Sequence, residues 1–382
     1  MSHWRSSALL IVALLAAASL ARAESATGPD DVRRQLPQIE AFVRAEMQRE
    51  KVPGVALGVV SHGTVIVSKG YGSANIELRV PVGAETLFQS GSLGKQFTAV
   101  AVMLQVENGK LALDDPLTKY LPDAPRSWRA ITVRNLLNHT SGIPDYTDYT
   151  TEQPRRGNAP TIDLRRDYSE EQLTRIAYRL PLEFPPGSRW KYSNTGYLLL
   201  GVLVHKVTGR FYGDVLRERV FVPLHMESAR VISEADIIPN RAAGYRLEKG
   251  ELKNQKWVAP SLNTTADGAL YLSVRDWIAW DRGLRAQAIL QPASWAEVYT
   301  PVLLRGGSRY PYGFGWDVEQ AKGKPFYHHG GTWQGFRTNI SRYLADDLTI
   351  IVLTNLGDSD PERFVGGIVA LIDPELATGK RF

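Results

Sequence analysis

The chain predicts an α+β fold. One antiparallel sheet is assembled from both ends of the sequence and flanked by N- and C-terminal helices, with an all-helical lobe inserted between. Three observations carry this. Strand-like runs at 55–60 and 65–68 stand near the start, around the turn Ser61-His62-Gly63-Thr64, which is a hairpin signal. Three more strand-like runs, 313–318, 335–343 and 348–355, crowd the end. Between them, from Asp114 to about Gly283, the apolar pattern is mostly helical and loop-rich. Strands at both ends with helices between make a sheet built from the two termini. The sheet-bearing lobe takes about 35–90 plus 305–372 and the helical lobe about 91–304, with no internal repeat or low-complexity linker.

The first 23 residues read as a secretory leader, leaving a single catalytic-sized unit at 24–382. Arg5 opens it, residues 8–20 form its apolar core, and Ala21-Arg22-Ala23 makes a small-x-small cleavage site. That core is shorter than a bilayer span, so no integral membrane segment is expected once the leader is removed. The destination expected is a bacterial periplasm or the medium. The absence of cysteine excludes disulfides, thiol nucleophiles and thiolate metal sites. The formal charge of +5 falls to 43 basic against 40 acidic residues without Arg5 and Arg22, and no basic block accompanies it. Nucleic-acid binding therefore has no footprint here.

Residues 37–51 follow as an amphipathic helix with Ile39, Phe42, Val43 and Met47 on one side. After the hairpin comes a helix headed by Ser92, apolar on nearly every side (Leu93, Phe97, Val100, Met103, Leu104) and closed by Asn108-Gly109. Thr132 caps a short helix that Asn138-His139-Thr140-Ser141-Gly142-Ile143-Pro144 breaks. Residues 147–167 are polar and read as a surface excursion. Ser169-Glu170-Glu171-Gln172 opens another helix, 197–207 a strongly apolar one ending at Thr208-Gly209, and 269–284 a helix-prone segment interrupted near its start. A terminal helix spans 361–371.

Ser92 stands three residues before Lys95, so on a helix the lysine lies over the hydroxyl. Burial lowers a lysine pKa and lets it accept the serine proton, and the amides of a first helical turn favour charge on the attacked carbonyl oxygen. The spacing alone is weak, for Ser188-Arg189-Trp190-Lys191 matches it too, after a Pro-Pro-Gly turn with no apolar helix behind it. Tyr192-Ser193-Asn194 sits in a loop before an apolar helix. There Tyr192 is able to relay protons if nearby cations lower its pKa, and Asn194 to steady Lys95 or meet a substrate carbonyl; the alternative is a packed tyrosine and a turn-forming asparagine. In Tyr327-His328-His329-Gly330-Gly331-Thr332-Trp333, two glycines at a strand edge admit a substrate backbone, and the Thr332 amide offers a second oxyanion donor. His328 reads as a core histidine. Neither histidine has the acidic partner a metal site needs.

In this order, Ser92-Leu93-Gly94-Lys95, Tyr192-Ser193-Asn194 and His329-Gly330-Gly331 resemble the S-x-x-K, Y-x-N and [KH]-x-G motifs of serine hydrolases related to class C β-lactamases. That superfamily includes D-Ala-D-Ala carboxypeptidases, D-aminopeptidases and β-lactamase-like esterases. The resemblance runs over roughly 35–372 and implies the β-lactamase/transpeptidase-like fold, with the site between sheet and helical lobe. It implies Ser92 as nucleophile, Lys95 and Tyr192 as proton carriers, and Asn194, His329, Gly330, Gly331 and Thr332 at the substrate. No cofactor or metal is required, and the partner is a small molecule or short peptide. Class C β-lactamases have lysine where His329 stands, which favours an esterase or D-peptidase over a β-lactamase; the alternative of a non-catalytic penicillin-binding sensor would call for a missing motif residue, and all three motifs are intact. Residues 146–167, Tyr310-Pro311-Tyr312 and Trp333 are expected to set specificity; substrate and oligomeric state stay open.

Overall fold

The computed structural model describes residues 28–152 and 160–376. The expected leader, the terminal Lys380-Arg381-Phe382 and part of the 147–167 excursion lie outside the described residues. Helix α1 (Leu36–Glu50) leads into strands β1 (Gly54–Ser61), β2 (Thr64–Asn75) and β3 (Val80–Pro81). Next come helices α2 (Lys95–Glu107), α3 (Val133–Leu137), α4 (Glu170–Tyr178) and α5 (Asn194–Thr208). After β4 (Leu270–Leu272) and α6 (Val274–Arg285), the chain returns with β5 (Asp317–Ala321), β6 (Lys324–Trp333), β7 (Phe336–Tyr343) and β8 (Leu348–Thr354), then α7 (Pro361–Ile372).

The sheet has seven strands in the order β5-β6-β7-β8-β1-β2-β3, with every neighbouring pair antiparallel. The two ends of the chain meet where β1 pairs β8, Leu57 opposite Val352. Strand β1 is buried on both faces, and its alternation shows why. Val55, Leu57 and Val59 join Ile39, Val43, Phe364 and Ile368 in a core under α1 and α7. Ala56 and Val60 face the larger core that holds α2, α5 and α6. The β1–β2 turn places His62 and Gly63 at φ 50° and 72°, as a two-residue hairpin of this hand requires.

Helix α2 runs through that larger core, buried from Lys95 to Gln105. Phe97 packs against Phe221, Trp277 and Trp280, with ring centroids 5.4, 5.5 and 4.6 Å away. Two of its buried polar side chains are tied to neighbours: Trp280 Nε1 donates to Gln96 Oε1 over 2.9 Å, and Thr98 Oγ1 to the Ala266 carbonyl over 2.6 Å.

Four expectations change. Ser92 lies in a 3₁₀ turn (Gly91–Gly94) before α2, because Gly91 enters at φ 51° and tightens the first turn. Residues 269–284 split into strand β4 and helix α6, since Leu270–Leu272 pairs with Phe88–Gln89 and Arg230–Val231. The strand expected at 313–318 begins only at Asp317, and 324–333 is a strand throughout. The excursion after 147 is not all surface: Tyr149, Thr150 and Ile162 are buried.

Candidate active site

The 3₁₀ turn brings residues i and i+3 into register, so Lys95 Nζ sits 3.0 Å from Ser92 Oγ. Two acceptors hold the lysine from the other side: Asn194 Oδ1 at 2.7 Å and the Asp267 backbone carbonyl. A neutral amine has two N–H bonds and one lone pair. With both N–H groups directed at Asn194 and Asp267, the lone pair faces the Ser92 hydroxyl. Lys95 is fully buried, and that burial pushes its pKa down to about 8 against the opposing pull of Asp267 and Asp145. Its Nζ also lies 4.9 Å from the Tyr192 ring centroid and 5.5 Å from that of Tyr197.

Asn194 is the first residue of α5 rather than a loop residue. Its orientation comes from Asp145, which sequence reasoning missed. Asp145 Oδ2 accepts from the Asn194 backbone amide at 3.1 Å and from Asn194 Nδ2 at 2.9 Å, so it caps α5 and turns the amide oxygen toward Lys95. Asp145 Oδ1 accepts from Thr147 N and Oγ1, both at 2.9 Å. Burial raises the Asp145 pKa, with these donors working against the rise. One Asn194 Nδ2 hydrogen is thereby committed to Asp145 and Oδ1 to Lys95, while the residue also lines the cavity beside Ser92.

Tyr192 corrects the expectation of a cation-lowered pKa. Burial holds its phenol well above the ordinary value near 10, the Ser92 hydroxyl being the one group that opposes this directly. The hydroxyl is buried and makes no hydrogen bond of full geometry among the described residues. It is therefore a proton donor near neutrality, not a phenolate.

His329 is also neutral. Burial, with the nearby Lys95 charge second, pushes its pKa down to about 3. Its partners assign the tautomer: Nδ1–H donates to the Gly330 carbonyl at 2.6 Å, and Nε2 accepts from Tyr312 Oη at 3.0 Å. Tyr312 Oη in turn accepts from His139 Nε2 at 3.2 Å, while His139 Nδ1 accepts from the Ser193 amide at 3.2 Å. His139 lies tilted against Tyr192 with ring centroids 4.2 Å apart. His329 thus braces the tyrosine wall behind the site and does not line the cavity. His328, on the opposite face of β6, stacks on Phe326 at 4.5 Å and approaches Glu319, in keeping with a packed histidine.

The two glycines part company. A Cβ on Gly331 would lie 2.0 Å from the Ser90 carbonyl oxygen and 3.0 Å from the Leu93 nitrogen, so β6 presses against the chain that carries Ser92. The close approach expected of a substrate is made by the protein's own backbone. Trp333 and Phe336 close a two-residue hairpin. Alternation from that pair turns the Thr332 amide away from β7 and toward Gly91, whose built Cβ would sit 2.4 Å from it.

A cavity of about 220 Å³ opens on Ser92 and Asn194, with Thr332, Trp333, Tyr146 and Asp267 in its wall. Trp333 is pinned by donating Nε1 to Asn263 Oδ1 at 2.7 Å, and Tyr146 by donating to Asp267 Oδ2 at 2.8 Å. Tyr310 stacks on Trp190 at 3.9 Å, and Tyr312 is buried in the histidine chain, so neither reaches the cavity. Ser188, of the second matching tetrad, donates to the Pro185 carbonyl in an exposed turn.

A family model described as Beta-lactamase matches residues 39–372. The chain is 30% identical over 315 residues to penicillin-binding protein 4* of Bacillus subtilis (strain 168), covering 77% of this chain and 68% of that protein. It is 30% identical over 323 residues to a D-aminopeptidase of Brucella canis, covering 84% of this chain but only 60% of that protein's length. Among solved structures, the octameric penicillin-binding protein homologue from Pyrococcus abyssi aligns with a TM-score of 0.74 at 28% identity, over 88% of this chain and 76% of that one. With a family model running from α1 to α7 and the β-lactamase/transpeptidase-like fold in place, the chain belongs to the beta-lactamase family and is a serine hydrolase.

Proposed function

We propose that the protein cleaves a small ester or amide, D-aminoacyl derivatives included, through an acyl-enzyme on Ser92. The observation that carries this is the buried Lys95 amine, held by two acceptors and 3.0 Å from Ser92 Oγ. In the first half-reaction neutral Lys95 takes the Ser92 proton as Oγ bonds to the substrate carbonyl carbon. The amides of Ser92 and Thr332 meet the negative oxygen. Tyr192 donates its phenolic proton to the leaving nitrogen or oxygen as that bond to carbon breaks, and the Lys95 ammonium restores it. Water then replaces the leaving group: its proton passes to Lys95, its oxygen bonds to the acyl carbon, and the Oγ–C bond breaks with return of the proton to Ser92.

The finer substrate reading draws on the D-aminopeptidase relative and on the size of the cavity. Its roughly 220 Å³ gives room for one aminoacyl group beside Ser92, with the mouth open to whatever the acyl group is joined to. Action outside the cytoplasm belongs to the same proposal and rests on the leader-like pattern of residues 1–23.

Intact mass spectrometry with p-nitrophenyl acetate and with benzylpenicillin tests it. The wild-type protein is expected to gain one acetyl group and to release p-nitrophenol, and Ser92→Ala to do neither. An adduct that persists in Ser92→Ala contradicts the assignment, and penicillin turnover faster than ester turnover shifts the substrate class to β-lactams.

A further inference from the structure

The cavity beside Ser92 has an electrostatic asymmetry that its catalytic reading does not use. Asp267 is a partly exposed carboxylate in its wall, and no lysine, arginine or histidine joins it there. The carboxylate accepts a hydrogen bond from Tyr146 Oη at 2.8 Å. No ion pair to it is formed by any described basic side chain. Lys95 is close enough to feel its charge but spends its own hydrogen bonds on Ser92, Asn194 and the Asp267 backbone carbonyl. Asp145, the other acid near the lysine, is already saturated by Thr147 and Asn194. His329 is neutral and turned away.

An anionic side chain in the wall that also holds the nucleophile, ion-paired to no described basic side chain, fits a cationic acyl group and disfavours an anionic one. We propose that Asp267 is a specificity-determining residue that binds the free ammonium of an aminoacyl substrate, so that this enzyme removes an N-terminal amino acid or cleaves its amide or ester. Tyr146 holds the carboxylate in place for that contact, and Trp333 with Leu262 and Ala269 supplies the apolar wall for the side chain. The inference rests on acyl transfer at Ser92 as proposed above.

The test compares alanine p-nitroanilide, as each enantiomer, with propionyl p-nitroanilide, which lacks only the amine. The wild-type kcat/KM is expected to favour the better alanine enantiomer by about 10- to 100-fold, the range for a hydrogen bond to a charged group. Asp267→Asn is expected to bring that ratio to within about 3-fold of unity, and Asp267→Glu to keep more of it than Asn does. The ratio is read because both substrates share any effect on Lys95 held by the same residue. A wild-type ratio near one, or an Asn variant with its ratio intact, overturns the proposal; if propionyl p-nitrophenyl ester still acylates Ser92, the acyl-transfer reading stands without it. Failure of every substrate to acylate Ser92 overturns both.

Discussion

Replacing Lys95 by Met is expected to lower kcat/KM for ester hydrolysis by about 10³-fold or more while the protein still folds. The loss follows from geometry: Lys95 Nζ is the only basic group bonded to Ser92 Oγ among the described residues. The stability side runs the other way. The lysine is fully buried, and its pKa falls from 10.5 in the unfolded chain to about 8. Below pH 8 both states carry the proton and the folded state bears a cost of roughly 3 kcal/mol for the buried charge. Between pH 8 and 10.5 the unfolded chain binds more protons, so stability rises with pH there. Met removes that cost but strands Asn194 Oδ1 and the Asp267 carbonyl, worth about 1–3 kcal/mol each. The melting temperature at pH 7 is therefore expected within a few degrees of wild type. Activity within tenfold of wild type, with the same melting temperature, contradicts the role given to Lys95.

Of the two motif glycines, Gly331→Ala is expected to be strongly damaging and Gly330→Ala mild. A methyl on Gly331 meets the Ser90 carbonyl oxygen at 2.0 Å and Thr338 Oγ1 at 2.6 Å, both on backbone or β-branched groups packed in place. Relief requires β6 to move off the Gly91–Gly94 turn, which separates the Thr332 amide from Ser92. Displacement of that order costs about 10²-fold in rate, and overpacking about 1–3 kcal/mol in stability. A methyl on Gly330 meets nothing closer than 3.7 Å. Thermal melts and ester turnover of the two variants distinguish them; equal behaviour contradicts the packing account.

The parts of this structure that were legible in the sequence are those set by neighbours in the chain. The Ser92–Lys95 spacing, the His62-Gly63 turn, the Thr132 and Ser169 caps and the continuous apolar runs of β1 and β8 are all local signals. The lysine's acceptors are 99 and 172 residues away from it, beyond any periodicity. Asp145 gave no signal beyond one acid in the stretch Ile143-Pro144-Asp145-Tyr146, and Tyr312 stood out only as an aromatic expected to set specificity, not as the link between His139 and His329. Directions of proton affinity were hidden for the same reason. Tyr192 was open to a pKa lowered by nearby cations, and His329 stood where related enzymes carry a lysine. Burial by distant segments decides both, raising the phenol and holding the imidazole neutral. Strand β4 was hidden because its three residues are too short for alternation to register.

The central claim is that neutral Lys95 activates Ser92, and the measurement that tests it most directly is the rate of Ser92 acylation against pH. Rapid-quench mass spectrometry with p-nitrophenyl acetate follows the acetyl adduct on the peptide that contains Ser92. The account predicts a burst rate constant that rises with pH through an apparent pKa about 8 and levels above it, since about a tenth of the molecules carry the free amine at pH 7. A rate independent of pH from 6 to 10, or an adduct on any other residue, would contradict it.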